Sequence, residues 1–397
     1  MAELLTLEAA LEAVLAHARP LGSEQVPVAA ASGRVLAEDA RAAVDLPPFP
    51  SSAMDGFAIR AEDAPGTLPV GFRIAAGRPA ERPLAAGEAM GIATGGAVPD
   101  GADAVVPIER VVEQDNTVTI PHAVEAGAHI RPRGGDVRAG DPVLPAGTRV
   151  SPAQVGALAA VGIASVACAR RPAVALLTTG TELREPGEPL GPGQIYESNG
   201  AMLAAVLAEA GAVVERLATV ADDPAAHRAG LHQALAADVV VTSGGVSVGP
   251  HDLVRAVGRD LGVEEVFWGV AVKPGKPLAF GVRGATLVFG LPGNPVSSLV
   301  SAELFVRPAL LALQGASRPG PRWEPATLAR VVRRNPGRDE LVRARTLDND
   351  TLEPLAGQES HMIVRAAAAD ALVLVPRGEG SLEAGDAVRA IRLTSSS

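Results

Sequence analysis

Lysine is almost missing from this chain. Of its 35 basic residues all but Lys273 and Lys276 are arginine, and these two lie three positions apart in Val272-Lys-Pro-Gly-Lys-Pro277. Cysteine is rarer still: Cys168 stands alone, which excludes intrachain disulfides and cysteine-rich zinc or iron–sulfur centres. Aromatic side chains are 3% of the total, so the apolar content is mostly Ala, Val and Leu. Long apolar stretches are broken by glycine or charge before they reach the length of a membrane span. Met1-Ala-Glu-Leu-Leu5 is acidic where a signal peptide would be basic. With a net charge of −10 and no basic stripe, a nucleic-acid partner is not expected, and any anion site has to be local. The expectation is a cytoplasmic protein that engages neither membrane nor nucleic acid.

What is present fits a globular chain of several domains, with 397 residues of which 47% are hydrophobic. Residues 6–19 carry Leu7, Leu11, Val14, Leu15 and Ala18 at helical spacing, with Thr6 as cap and Pro20 and Gly22 as stop signals. From 45 to 130 short apolar segments alternate with Pro and Gly, a β-rich texture. Ser151-Pro152 opens a short helix that ends near Gly162, and it is expected to pack beside the first helix, making the β-rich part an insertion. After Pro172 strands and helices alternate: strands at 173–178, 213–220, 238–242, 263–272 and 286–289, helices at 199–211, 224–236, 253–261 and 295–313. That pattern predicts an α/β doubly wound parallel sheet, whose ligands bind outside the carboxyl ends of the strands. Residues 315–322 read as a linker, followed by short strands of a small C-terminal β-barrel. The domain reading is therefore a discontinuous helical linking domain (1–44 and 131–171), a β-rich inserted domain (45–130), the α/β domain (172–316) and the barrel domain (317–397).

The lysine turn has its own physics. Pro274 and Pro277 restrict the two lysines toward extended backbone, and Pro274-Gly275 makes a turn. Two compact ammonium groups on a rigid turn suit a small tetrahedral oxyanion or a phosphate, though a solvated turn would use the same residues. At the other strand ends lie Thr179-Gly-Thr-Glu182, Asp222-Asp-Pro224, Ser243-Gly-Gly-Val-Ser-Val-Gly249 and Leu291-Pro-Gly-Asn-Pro295. Glycine-rich loops before helices bring amides to a phosphate, or simply turn tightly. Glu182, Asp222 and Asp252 are candidate ligands for Mg²⁺, which bridges carboxylates to phosphates. Asp223 and Asn294 are placed as helix caps, leaving Asp222 the freer acid.

In this order the loops resemble one family, the molybdopterin molybdenumtransferases, that is the MoeA-type enzymes and their gephyrin E-domain relatives. The matching segments are 52–57 (Ser-Ala-Met-Asp-Gly-Phe), 93–107, Arg131-Pro-Arg-Gly-Gly-Asp136, 178–183, 243–249, 272–277 and 290–297. The resemblance implies a sheet of the molybdopterin-binding type and an elongated homodimer of four-domain subunits. It places the active site between the α/β domain of one subunit and the β-rich insertion of the other. The implied reaction is Mg²⁺-dependent insertion of molybdate into adenylylated molybdopterin, releasing AMP and molybdenum cofactor. Contacts with the molybdopterin adenylyltransferase and with acceptor molybdoenzymes follow from such a role. By position Asp55, Thr94, Asp136, Glu182, Asp222 and Asp252 match catalytic residues. Ser52, Thr179, Gly180, Ser243, Gly244, Gly245, Ser247, Pro292, Gly293 and Asn294 match the pterin site. Lys273, Lys276, Ser297 and Arg343 match the molybdate pocket, and Ser360 a functional serine. Two departures stand out: Gly269 occupies a position where some members have a further lysine, and Glu359 one where glycine is common. A molybdopterin adenylyltransferase and a non-catalytic scaffold are the alternative functions, against which stand the extra domains and the retained acids and lysines.

Overall fold

The computed structural model describes residues 4–245, 253–348 and 350–393. At the N-terminus Thr6 caps helix α1 (Leu7–His17), its hydroxyl accepting the Ala9 N–H at 3.1 Å. Helix α2 (Pro152–Ala160) opens with a capping box between Ser151 and Gln154. The two helices do not pack together as expected. α2 buries Leu158 with Val26, Val28 and Cys168. α1 instead turns Leu7, Ala10 and Val14 onto the last helices of the α/β domain, where its apolar stripe completes a core rich in Leu and Phe. Strand Ser23–Pro27 pairs antiparallel with Ser165–Ala169, so the segments before and after the insertion are stitched together. The insertion itself is a six-stranded sheet built from strands between Gly56 and Ile120.

The α/β domain follows the alternating pattern. Its six strands lie in the order Val213–Arg216, Ala173–Thr178, Val239–Ser243, Thr286–Leu291, Ala279–Arg283, Glu264–Trp268. Side chains alternate across the sheet. Val174, Leu176, Val239, Val241, Leu287 and Phe289 meet α3 (Asn199–Glu209) and the helical run 295–313, whereas Ala175, Val240 and Val288 meet α4 (Pro224–Ala234) and α5 (Leu253–Asp260). Helices on both faces leave the loops at the strand ends free to build a site. Four of the chain's seven phenylalanines, Phe267, Phe280, Phe289 and Phe305, gather in this one core. Each fully buried phenylalanine contributes roughly 1.5–3 kcal/mol by burial.

The doubly wound sheet is borne out, with one strand not foreseen. Ala279–Arg283 runs antiparallel to both its neighbours. The expected strand 263–272 is split into Glu264–Trp268 and Val272–Lys273. The break is Gly269, at φ +91°, where a Cβ would come within 2.6 Å of Leu4. Leu5 pairs with Val270 there, and the Ala271 N–H reaches the Leu5 carbonyl at 2.8 Å. Position 269 is therefore given to packing of the N-terminal segment rather than to charge.

The run 295–313 comprises α6 (Pro295–Ser301), a π-helical turn Ala302–Val306 and α7 (Arg307–Leu313). Contrary to expectation it is long and apolar enough to cross a membrane, but 78% of it is buried inside the protein, where it forms the central helix of the core. Beyond the linker, strands Glu324–Leu328, Asp339–Thr346, Thr351–Pro354, Ala371–Val375 and Ala387–Arg392 close into a five-stranded barrel filled by Leu328, Val342, Leu352, Val373 and smaller residues. The two-residue strand Val272–Lys273 adds to this barrel sheet, parallel to Asp339–Glu340.

Candidate active site

Four strand ends at the carboxyl edge of the α/β sheet are laced together from below. Thr179 N–H donates to the Ser243 carbonyl at 3.0 Å, Gly180 N–H to Val220 at 3.0 Å and Gly244 N–H to Leu291 at 3.1 Å. Asn199, the first residue of α3, gives its side-chain amide to Ser243 Oγ at 2.9 Å and to the Gly293 carbonyl at 2.7 Å. The buried Ser298 hydroxyl donates to the Pro292 carbonyl. This framework frees a cavity of about 310 Å³ lined by Thr179, Glu182, Ser243, Gly293, Asn294 and His361, among others. Asn294 sits at the N-cap of α6 but makes no capping hydrogen bond, so the cap role expected of it is not taken up and its amide faces other duties. Asp223 does cap α4, accepting the Ala225 and Ala226 N–H groups at 2.9 and 3.0 Å.

Asp222 stands one residue before that cap. Its Oδ2 accepts the Thr181 hydroxyl at 3.2 Å and the Thr181 N–H at 3.3 Å, which sets it beside the loop that carries exposed Glu182. Two carboxylates on adjacent loops suit Mg²⁺, which takes one or two protein carboxylates and completes its shell with waters and phosphate oxygens. Among the described residues no group of three or more His, Cys, Asp or Glu is placed to hold a metal ion. Asp252 and Ser247 lie outside the described residues. Near Gly245, Thr179 Oγ1 and His227 Nε2 are buried and have no hydrogen-bond partner among the described residues. The His227 Nδ1 lies 3.1 Å from the Asp223 carbonyl, so Nδ1 donates to it, and Nε2 faces Gly245.

The lysine turn packs between α6 and the barrel. The Lys273–Pro274 peptide is cis, and Gly275 has φ +118°, the positive value the turn reading requires. A Cβ on Gly275 would meet Ser301 Oγ at 3.0 Å, with the Ser297 carbonyl behind it. Lys276 is exposed and has no ion pair among the described residues, whereas Lys273 Nζ lies 2.9 Å from Glu340 Oε1 of the barrel. Ser297 is buried in the first turn of α6. Arg343 is 1% exposed, and its guanidinium donates to the carbonyls of Gly357 at 2.6 Å and Glu359 at 3.4 Å. Burial pulls its pKa below the ordinary arginine value. In the described structure Arg343 thus organises the loop 357–359 from beneath. Ser360, next in that loop, accepts the Val296 N–H of α6 through its carbonyl at 3.1 Å, joining barrel and α/β domain.

The remaining candidates form a separate group on the insertion. Asp55 Oδ1 accepts the Thr94 N–H at 2.7 Å. Ser52 is buried and ties this loop together: its N–H donates to Gly96 at 2.9 Å, and its carbonyl accepts the Gly95 N–H at 2.8 Å. Asp136 anchors only its backbone, to the Leu46 carbonyl at 2.9 Å. Arg133 pairs not with Asp136 but with Asp45, whose carboxyl is held below its ordinary pKa by the Ala139 N–H and by Arg133. Asp55, Thr94 and Asp136 are all exposed, and among the described residues no hydrogen bond or ion pair links them to the α/β pocket. Sequence reasoning passed over Asn199, His227 and Glu340. Asn199 was legible only as a helix start, and Glu340 becomes visible only once the barrel strand is seen to pair with the lysine turn.

Fold and pocket define a class first: a multidomain protein with a polar, glycine-rich pocket at the carboxyl edge of a doubly wound sheet. Comparison with known proteins narrows it. Residues 5–162 match the MoeA N-terminal region (domain I and II), residues 175–312 a probable molybdopterin binding domain, and residues 325–393 the MoeA C-terminal region (domain IV). Molybdopterin molybdenumtransferase 2 of Mycobacterium tuberculosis is 40% identical over 386 residues, covering 93% of this chain and 95% of that protein. The molybdopterin molybdenumtransferase of Haemophilus influenzae is 34% identical over 395 residues, covering 97% and 98%. A crystal structure of the molybdopterin biosynthesis moeA protein from Pyrococcus horikoshii superposes with a TM-score of 0.85 at 29% identity, covering 98% of this chain and all of that one. The chain belongs to the molybdopterin molybdenumtransferase family.

Proposed function

We propose that this chain is the transferase that inserts molybdenum into molybdopterin, taking the adenylylated pterin and molybdate and releasing AMP and molybdenum cofactor. The observation that carries this reading is the cavity in which Thr179, Glu182, Ser243, Gly293 and Asn294 meet, with the lysine turn packed on the adjoining helix α6. Backbone amides of the glycine turns would hold the pterin phosphates, a preorganised positive lining that requires no rearrangement during reaction. Glu182 and Asp222 would hold Mg²⁺, which when bound polarises the phosphoanhydride toward cleavage. Lys276 and the outer N–H groups of Lys273 would receive the tetrahedral oxyanion and present it to the dithiolene. Arg343, holding the loop 357–359, keeps that side of the pocket in place and adds charge from behind.

The acids of the insertion fit a homodimer in which Asp55, Thr94 and Asp136 of one subunit complete the pocket of the other. Their exposure, and the lack of links to their own chain's pocket among the described residues, support that arrangement. A soluble, cytoplasmic enzyme that meets the adenylyltransferase upstream and molybdoenzymes downstream suits such a role. Incubation with adenylylated molybdopterin, Mg²⁺ and molybdate or tungstate, following AMP release and reconstituted cofactor activity, tests the proposal. AMP release coupled to active cofactor is expected. ATP-dependent adenylylation of molybdopterin without metal insertion would overturn it.

A further inference from the structure

A carboxylate sits inside the cluster of cations assigned to the oxyanion. Lys273 Nζ is 2.9 Å from Glu340 Oε1, and the Glu340 side chain is only 11% exposed. The contact is fixed by backbone rather than by a free side-chain choice, because Val272–Lys273 pairs with Asp339–Glu340 in a register that sets Lys273 opposite Glu340. Three residues further along the same strand is Arg343, whose guanidinium donates only to carbonyl oxygens and whose charge feels Glu359 first and Glu340 after it. Lys276, on the same turn, has no ion-pair partner among the described residues. Glu340 therefore takes up one of the positive charges that Lys273, Lys276 and Arg343 bring to the site in that reading. A pocket evolved only for tight anion capture would gain from omitting the acid, since a carboxylate beside the ammonium repels the ligand and weakens the pull of Lys273. A molybdate that has to be handed on, however, must not be held too tightly: interactions that stabilise the bound substrate as much as the transition state do not speed the chemical step.

Resting on the reading of the lysine turn as the oxyanion site, we propose that Glu340 is a positioning residue that sets the charge of this site. It orients Lys273 and holds the pocket's affinity for the dianion low enough for transfer. The isosteric Glu340→Gln keeps a hydrogen-bond partner for Lys273 and removes the negative charge.

The test is equilibrium binding of molybdate alone to the full-length protein, paired with steady-state kinetics of metal insertion. Glu340→Gln is expected to bind molybdate about tenfold more tightly, with lower KM for molybdate and lower kcat. Glu340→Asp, which draws the carboxylate back from Lys273 and is the gentler change to the fold, is expected to tighten binding less but in the same direction. A purely structural role predicts the opposite, weaker or unchanged binding in both variants, and that result would overturn the proposal. Lys273→Ala and Lys276→Ala separate the two levels. If neither weakens molybdate binding, the turn is not the oxyanion site. If both weaken it while Glu340→Gln and Glu340→Asp fail to tighten it, the turn stands and the role given to Glu340 falls.

Discussion

The edge of the α/β sheet and the tip of the β-rich insertion carry the same vocabulary, acids and hydroxyls beside glycine turns, in opposite settings. At the sheet edge the polar groups are backed by buried ones: Thr179, Ser243, Ser297 and Ser298 are each less than 8% exposed, and Asn199 ties two loops to each other. That is how a site holds geometry against solvent, because each supporting side chain is itself locked. On the insertion Ser52 gives comparable backing, yet Asp55, Thr94 and Asp136 are exposed, and among the described residues none is hydrogen-bonded to the α/β pocket. One region is a backed pocket and the other an exposed edge. That difference is what the proposed site shared between two chains would explain.

Substitutions of the acids should have the largest effect. Asp222→Ala and Asp55→Ala are each expected to lower cofactor formation roughly a hundredfold. If the comparison holds, thermal melting shows both folded, and only Asp222→Ala changes the Mg²⁺ concentration needed for activity. A change in the Mg²⁺ requirement from Asp55→Ala would move the insertion's acid into the cation site and blur the division. Next come the lysines. Lys273→Ala and Lys276→Ala are expected to raise KM for molybdate about tenfold or more while changing binding of the adenylylated pterin less than about threefold. Lys273→Ala should cost more, since it also leaves Glu340 without its partner.

The smallest effects concern the scaffold behind the pocket. Asp238 accepts the Ala173 N–H at 2.7 Å at the start of the strand Ala173–Thr178 and takes Arg170 at 2.9 Å on each oxygen. The Arg170 hydrogen bonds hold its pKa below the ordinary value of 3.8, against a partial opposing effect of burial. A lowered folded pKa means that the stabilisation is complete above the ordinary value and is lost as pH falls through the lowered one. Asp238→Asn should therefore cost about 1 kcal/mol at neutral pH, solvent screening of the half-exposed Arg170 included, and in denaturant titrations the difference should shrink as pH falls below 3.8 and vanish below the lowered pKa. Thr6→Ala, which removes the α1 cap, should cost about 1 kcal/mol by the same measurement and leave activity unchanged.

Much of the architecture was legible because it is written in local rules. Short apolar runs between helices marked the strands expected at 173–178, 238–242 and 286–289, observed at Ala173–Thr178, Val239–Ser243 and Thr286–Leu291, and Thr6, Ser151 and Asp223 marked helix starts. The misses are long-range. The strand Ala279–Arg283 contains Gly281, whose hydrogen leaves room for the Glu264 carbonyl where a Cβ would come within 2.7 Å, and that requirement has no local signature. The resting place of α1 depended on which distant core lacked an apolar stripe, not on its own spacing. In the site, the compositional isolation of two lysines pointed to the turn, but the acid that faces it arrives from a barrel strand some 70 residues later. Arg343 matched a pocket residue by position; it is buried and its guanidinium holds the loop 357–359.

The division between the two regions is tested most directly by mixing. Asp55→Ala and Asp222→Ala proteins, each inactive alone, are unfolded or dissociated together at equal concentration, reassembled and assayed for cofactor formation. If each active site takes its insertion from one subunit and its α/β pocket from the other, half the dimers are mixed and each regains one intact site, so about a quarter of the parent activity returns. No recovery above the two separate variants, with mixed dimers shown to have formed, would contradict a site shared between chains.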